Sequence, residues 1–164
     1  DSMTNILNKS SIQYQINDWL QHGEKEGIQA LLMLDLDQFK NINDTYGHAL
    51  GDEVIKAAAK VLKDTFRSSD IVGRAGGDEF MVLMKNVRWD KVIERQLQEL
   101  CHKFENLKIG SIPCGAIHCS IGAAYYPDHG MNFDELYHYA DEALYEAKRQ
   151  GRNTYVIYHQ EKKA

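Results

Sequence analysis

The chain has 164 residues, of which 43% are hydrophobic and 26% charged, and a formal net charge of −5 from 24 acidic and 19 basic residues. That length fits one domain with a sizeable core, and the acidic balance argues against extended DNA or RNA binding while allowing a local cationic pocket. The longest apolar run, Ala30 to Leu34, falls far short of the ~20 residues that span a bilayer, no signal peptide is visible, and no membrane contact by this domain is expected.

In chain order, Ser10 to Gln21 carries Ile12, Ile16, Trp19 and Leu20 at helical spacing, with Ser10 or Ser11 as N-cap. Gln29 to Leu36 reads as a buried central strand that ends in Asp35-Leu36-Asp37. Asp52 to Phe66 has the three-four spacing of a helix packed on a sheet, with Gly51-Asp52 at its start. Asp70 to Arg74 and Glu79 to Met84 read as two strands of a hairpin, and the Gly76-Gly77 pair between them predicts a primed turn with positive φ. Trp89 to Phe104 is a further helix, Cys114 to Tyr125 a strand, Phe133 to Arg149 a helix ended by Gly151, and Thr154 to Tyr158 a final strand.

This order predicts an α+β fold: a βαββαβ, ferredoxin-like core whose central sheet is mostly antiparallel and flanked by helices, with an extra terminal helix and strand. Residues 1–158 are expected to form the domain and 159–164 a disordered tail. The chain begins at Asp1 and reads as a domain excised from a longer protein. Its three cysteines, Cys101, Cys114 and Cys119, do not form a disulfide framework. A zinc site built from Cys114, His118 and Cys119 lacks the spacing and a second pair, so the thiols read as idle in a reducing cytoplasm.

The topology can bring Asp35, ending the first strand, to Asp78 at the hairpin tip. Paired carboxylates with little else to neutralise them point to a Mg²⁺ or Mn²⁺ site, since such cations take carboxylate and phosphate oxygens. The plainer alternative makes Asp35 and Asp37 solvated strand-end charges.

Gly76-Gly77-Asp78-Glu79-Phe80 matches the GGDEF signature, and the chain resembles the diguanylate cyclase family that this signature names. The likeness extends to Asp1 through Lys9, to Asp35 through His48, and to Ala140 through Asn153, in the family's order and spacing. Met3, Asn5 and Lys9 stand where the family commonly has Leu, Gly and Arg.

The resemblance implies a nucleotidyl-cyclase-like fold that condenses two GTP into cyclic di-GMP, with the 3′-hydroxyl of one attacking the α-phosphate of the other. It implies a metal held by Asp35, the Leu36 carbonyl and Asp78, with Asp78 also as proton acceptor and Glu79 assisting. Guanine would be read by Asn43 and Asp52, which taken alone are a turn residue and a helix N-terminal carboxylate. Phosphates would meet Lys40, Lys148, Arg152 and the amides of Phe39 and Lys40; by themselves Lys148 and Arg152 are cations near a helix C-terminus.

Arg67-Ser68-Ser69-Asp70 resembles the family's inhibitory R-x-x-D site for cyclic di-GMP, although such a string is often a solvated pair. The remaining histidines are expected at the surface. The resemblance also implies a homodimer for catalysis and a cytoplasmic setting, free or as part of a membrane-anchored protein. Two other readings stay open: a non-catalytic module that binds GTP or cyclic di-GMP, and a cyclase with a mixed or mononucleotide product.

Overall fold

The computed structural model describes residues 1–159, so the expected tail from residue 160 onward lies outside the described residues. The elements are α1 (Lys9–His22), β1 (Ile28–Leu36), α2 (Phe39–Tyr46), α3 (His48–Thr65), β2 (Ile71–Gly76), β3 (Glu79–Val87), α4 (Asp90–Glu105), β4 (Cys119–Tyr126), α5 (Phe133–Arg149) and β5 (Tyr155–Ile157). The five-stranded sheet runs β2-β3-β1-β4-β5. All neighbours are antiparallel except β4 and β5, which are parallel.

β1 is the central strand, and its two-residue period divides the core. Ala30, Leu32 and Leu34 face the layer of α2, α3 and α4, while Leu31 and Met33 face α1 and α5. β3 repeats the division, with Phe80 and Val82 on one side and Met81 and Leu83 on the other. Burial on both faces is why these strands read as continuous apolar runs rather than alternating ones. α5 lies so close to β4 that a Cβ on Gly122 would strike the backbone of Ala140 and Leu144, so only glycine fits there.

The structure differs from the sequence expectations in several places, beginning with the N-cap of α1, which is Asn8 and not Ser10 or Ser11. Residues 39–46 form a helix, α2, that polar composition concealed, because Ile42 is its only buried residue. Gly47, at φ 91°, ends α2 and starts α3, so Asp52 is the fifth residue of α3 and not its N-terminal carboxylate. β4 begins at Cys119 rather than Cys114; Gly115, at φ 91°, turns the chain within the apolar stretch that looked strand-like.

Neither Gly76 nor Gly77 is left-handed. The hairpin closes through a register irregularity between Arg74 and Gly76 instead of a primed turn. Among the histidines, His129 is half-buried: its Nδ1 accepts the Tyr125 amide at 2.8 Å and its ring stacks on Tyr125.

Candidate functional site at the end of β1

Asp35 is the register partner of Glu79 on β3 and of Ser120 on β4. One residue further, the Leu36 amide donates to the Asp78 carbonyl at 3.2 Å. Sheet pairing therefore carries the hairpin tip to the end of β1 and brings Asp35, Leu36, Asp78 and Glu79 together. Burial first, then the charge of the neighbouring Asp35, push the Asp78 carboxyl up to about 6.

Among the described residues one cation answers this charge: Lys148, near the end of α5, is hydrogen-bonded through Nζ to Asp35 Oδ2. The other oxygen, Asp35 Oδ1, is buried and has no hydrogen-bond partner among the described residues. An orphaned carboxylate oxygen is costly in a protein interior unless something positive meets it. Oδ1, the crowded Asp78 carboxyl and the nearby Leu36 carbonyl are hard oxygen donors of the kind Mg²⁺ or Mn²⁺ takes, so these residues fit such an ion. Among the described residues no group of three or more His, Cys, Asp or Glu side chains converges, so further oxygens would have to come from water or substrate.

The loop after β1 supplies the next part. Gln38 is left-handed, at φ 52°, and leads into α2 without a side-chain cap. The amides of Phe39 and Lys40, at the start of α2, have no backbone acceptor among the described residues, as expected in a first helical turn. Asn43 lies on α2 and its Oδ1 passes over Gly51 of α3, where any Cβ would collide with it. Asp52, exposed, follows Gly51 directly, so Asn43 and Asp52 lie near each other where α2 packs on α3.

Arg152 is exposed and lines a cleft of about 380 Å³ with Gln38, Asn41, Thr45, His118 and Asn153. Arg67 and Asp70 are elsewhere, at the opposite end of β2 from Gly76. Asp70 is not a solvated charge. Its side chain is 2% exposed and accepts the Arg67 amide at 3.0 Å and the Lys85 amide at 2.9 Å, while Arg67 Nη2 approaches it at 3.3 Å.

Three residues of the site escaped sequence reasoning. Arg74 donates from Nε and Nη2 to the Gly77 carbonyl at 3.0 and 2.8 Å and from Nη1 to Asp1 at 3.2 Å, bracing the hairpin tip. Its place two residues before the Gly-Gly pair was the available signal. Asp37 is buried and bonded to Ser120 and Asn153, which corrects the reading of it as a solvated charge. Ser120 carried no signal at all, being one small residue in an apolar strand.

The family model described as "Diguanylate cyclase, GGDEF domain" matches residues 1–154. Among curated proteins, the chain is 35% identical over 156 residues to diguanylate cyclase DosC of Escherichia coli K12, covering 93% of this chain and 34% of that protein. It is 38% identical over 150 residues to diguanylate cyclase A of Treponema denticola, covering 88% and 38%. The chain thus spans little more than a third of these relatives.

Among solved structures, the GGDEF domain of PA1120 (YfiN or TpbB) from Pseudomonas aeruginosa superposes with a TM-score of 0.88 at 31% identity, covering 96% of this chain and 99% of that one. The GGDEF domain of DgcB from Caulobacter crescentus, in complex with c-di-GMP, gives 0.85 at 29% identity, covering 98% and 93%. With its signature residues gathered at the end of β1 and its sequence matched almost end to end, the chain belongs to the diguanylate cyclase GGDEF-domain family.

Proposed function

We propose that this chain is an active catalytic domain that joins two GTP molecules into cyclic di-GMP, releasing two pyrophosphates. The observation that carries the reading is the Asp35–Asp78 pair with its orphaned buried oxygen, beside a helix start whose amides are unclaimed. A bound Mg²⁺ or Mn²⁺ would supply charge neutralisation at the phosphates and a more acidic 3′-hydroxyl.

The residues of the chain do the rest. Asp35, the Leu36 carbonyl and Asp78 would hold the ion, and Asp78 accepts the proton of the attacking hydroxyl. Glu79 adds negative charge that keeps Asp78 basic. The amides of Phe39 and Lys40, with Lys40, Lys148 and Arg152, bind the phosphates. At the guanine edge the Asn43 amide donates and accepts, and the Asp52 carboxylate accepts from the N1–H and exocyclic amine, a donor pair that adenine lacks.

Each chain has one such site, so both attacks need two chains face to face, and the reading implies a homodimer in turnover. Residues 1–158 act as the catalytic domain of a longer regulated protein, in keeping with the share of its relatives that the chain covers. GTP as substrate puts the domain in the cytoplasm; among the described residues no helix is long and apolar enough to cross a membrane. Arg67 and Asp70 form an inhibitory site for cyclic di-GMP, a ligand that the DgcB domain of Caulobacter crescentus holds in its complex.

The deciding experiment incubates the purified chain at high concentration with GTP and Mg²⁺ and identifies products by mass spectrometry. Cyclic di-GMP that rises steeply with protein concentration and vanishes in Asp78→Ala is expected. Bound nucleotide without product, even in an enforced dimer, would make the chain a binding module. A mixed or mononucleotide cyclic product would make it a different cyclase.

A further inference from the structure

Asp37 has no part in the chemistry above, yet it is a buried carboxylate with both oxygens engaged. It is 9% exposed. Oδ1 accepts from Ser120 Oγ at 2.6 Å and Oδ2 from the Asn153 amide at 2.8 Å, while its own amide donates to the His118 carbonyl at 2.9 Å. Burying a carboxylate is costly unless hydrogen bonds compensate. Here those bonds join the end of β1 to the start of β4 and to the turn after α5.

That turn needs holding. Arg152 and Asn153 are both left-handed, at φ 65° and 49°, a backbone conformation disfavoured for residues with a Cβ. The Arg152 amide closes onto the Ala147 carbonyl at 3.2 Å. Asn153 gives its side-chain amide to Glu105, the last residue of α4. The backbone just past Arg152 is thus gripped twice, by Asp37 through the main chain and by Glu105 through the Asn153 side chain. Arg152 leaves this turn toward the cleft beside Gln38.

Ser120 ties the grip to the reacting end of the site. It is fully buried and is the register partner of Asp35. The two carboxylates of Asp35-Leu36-Asp37 therefore fasten the same helix end, Asp35 through Lys148 and Asp37 through Asn153.

We propose that Asp37 is a positioning residue that sets Arg152 against the terminal phosphates of the nucleotide, so that preference for a triphosphate over a diphosphate depends on a buried carboxylate in the wall of the same cleft. The proposal rests on the cyclase reading, in which Arg152 meets those phosphates.

Calorimetric binding of GTP and GDP in Mg²⁺ tests it, using the parent chain, Asp37→Asn, Ser120→Ala, Arg152→Ala and the Asp37→Asn/Arg152→Ala double variant. Arg152→Ala is expected to lower the GTP-to-GDP affinity ratio about tenfold, the scale of one charge-assisted contact. Asp37→Asn should lower it by a similar factor, and the double variant should be no worse than Arg152→Ala alone.

A merely structural role would lower the melting temperature and weaken both nucleotides alike. An unchanged ratio in folded Asp37→Asn, or additive losses in the double variant, overturns the proposal. Should Asp37→Asn not fold, Ser120→Ala removes only one of the two bonds and decides by the same ratio. A parent that binds neither nucleotide overturns the cyclase reading and this proposal with it. A parent that prefers GTP, with a ratio indifferent to residue 37, overturns this proposal alone.

Discussion

Lys148 is ion-paired with Asp35 across 113 residues of sequence, fastening the end of α5 to the end of β1. Asp35 is nearly buried and Lys148 about one-third exposed, with side-chain accessibilities of 10% and 37%. Removing the cation leaves two crowded carboxylates without a partner. Lys148→Met should therefore destabilise the chain in EDTA by about 1–2 kcal/mol, discounted for exposure. The deficit should shrink when Mg²⁺ is added. Urea unfolding with and without Mg²⁺ reads both effects.

The raised Asp78 carboxyl gives a signed pH dependence. Its ordinary value of 3.8 applies to the unfolded chain and about 6 to the folded one. Between those values the folded chain holds more protons, so ionising Asp78 costs stability as pH rises through the window. Asp78→Asn in EDTA should be more stable than the parent at pH 7, by on the order of 1 kcal/mol after allowance for solvent screening. The two should converge near pH 4. Unfolding midpoints across pH 4 to 7 check this, and a variant less stable than the parent at pH 7 would contradict it.

His129 carries the opposite sign. Burial lowers its imidazole below 6.5, and its neutral Nδ1 accepts the Tyr125 amide. Its contribution is present above the unfolded value and is lost as pH falls below it, because the unfolded chain then binds the proton first. His129→Gln should lose about 1 kcal/mol at pH 8 through the stacking contact, with a smaller gap from the parent at pH 5.5. Chemical denaturation at the two pH values measures the gap.

Gly51→Ala separates folding from recognition. Within a helix, alanine is favoured over glycine by about 1 kcal/mol. Here the added Cβ displaces the Asn43 side chain, which is free to rotate away. Stability should hold or rise, while KM for GTP rises about tenfold, the loss of one well-placed hydrogen bond. Steady-state kinetics beside a thermal melt tests both halves.

Arg67 and Asp70 should not behave alike. Asp70 holds two backbone amides and is almost fully buried, so Asp70→Ala should cost about 2 kcal/mol in stability. Arg67 is 59% exposed, and Arg67→Ala should leave stability within about 0.5 kcal/mol. Loss of inhibition by added cyclic di-GMP in Arg67→Ala, at unchanged melting temperature, would assign the site cleanly; retained inhibition would remove it.

The sequence alone determined the central strand, the hairpin and the carboxylates at their ends, since these follow from short apolar runs and a local signature. It missed α2, whose single buried residue, Ile42, makes too weak a period, and it assigned the Gly-Gly turn a conformation that Arg74 and the register irregularity make unnecessary. Only the tertiary structure decided that Lys148 reaches Asp35 and that Asp37 holds Asn153 across 116 residues. Such pairs have no local period, because they arise where sheet order and the packing of α5 on β4 bring distant ends of elements together. A buried carboxylate and a solvated one look the same in a sequence, and burial is a property of the packed whole.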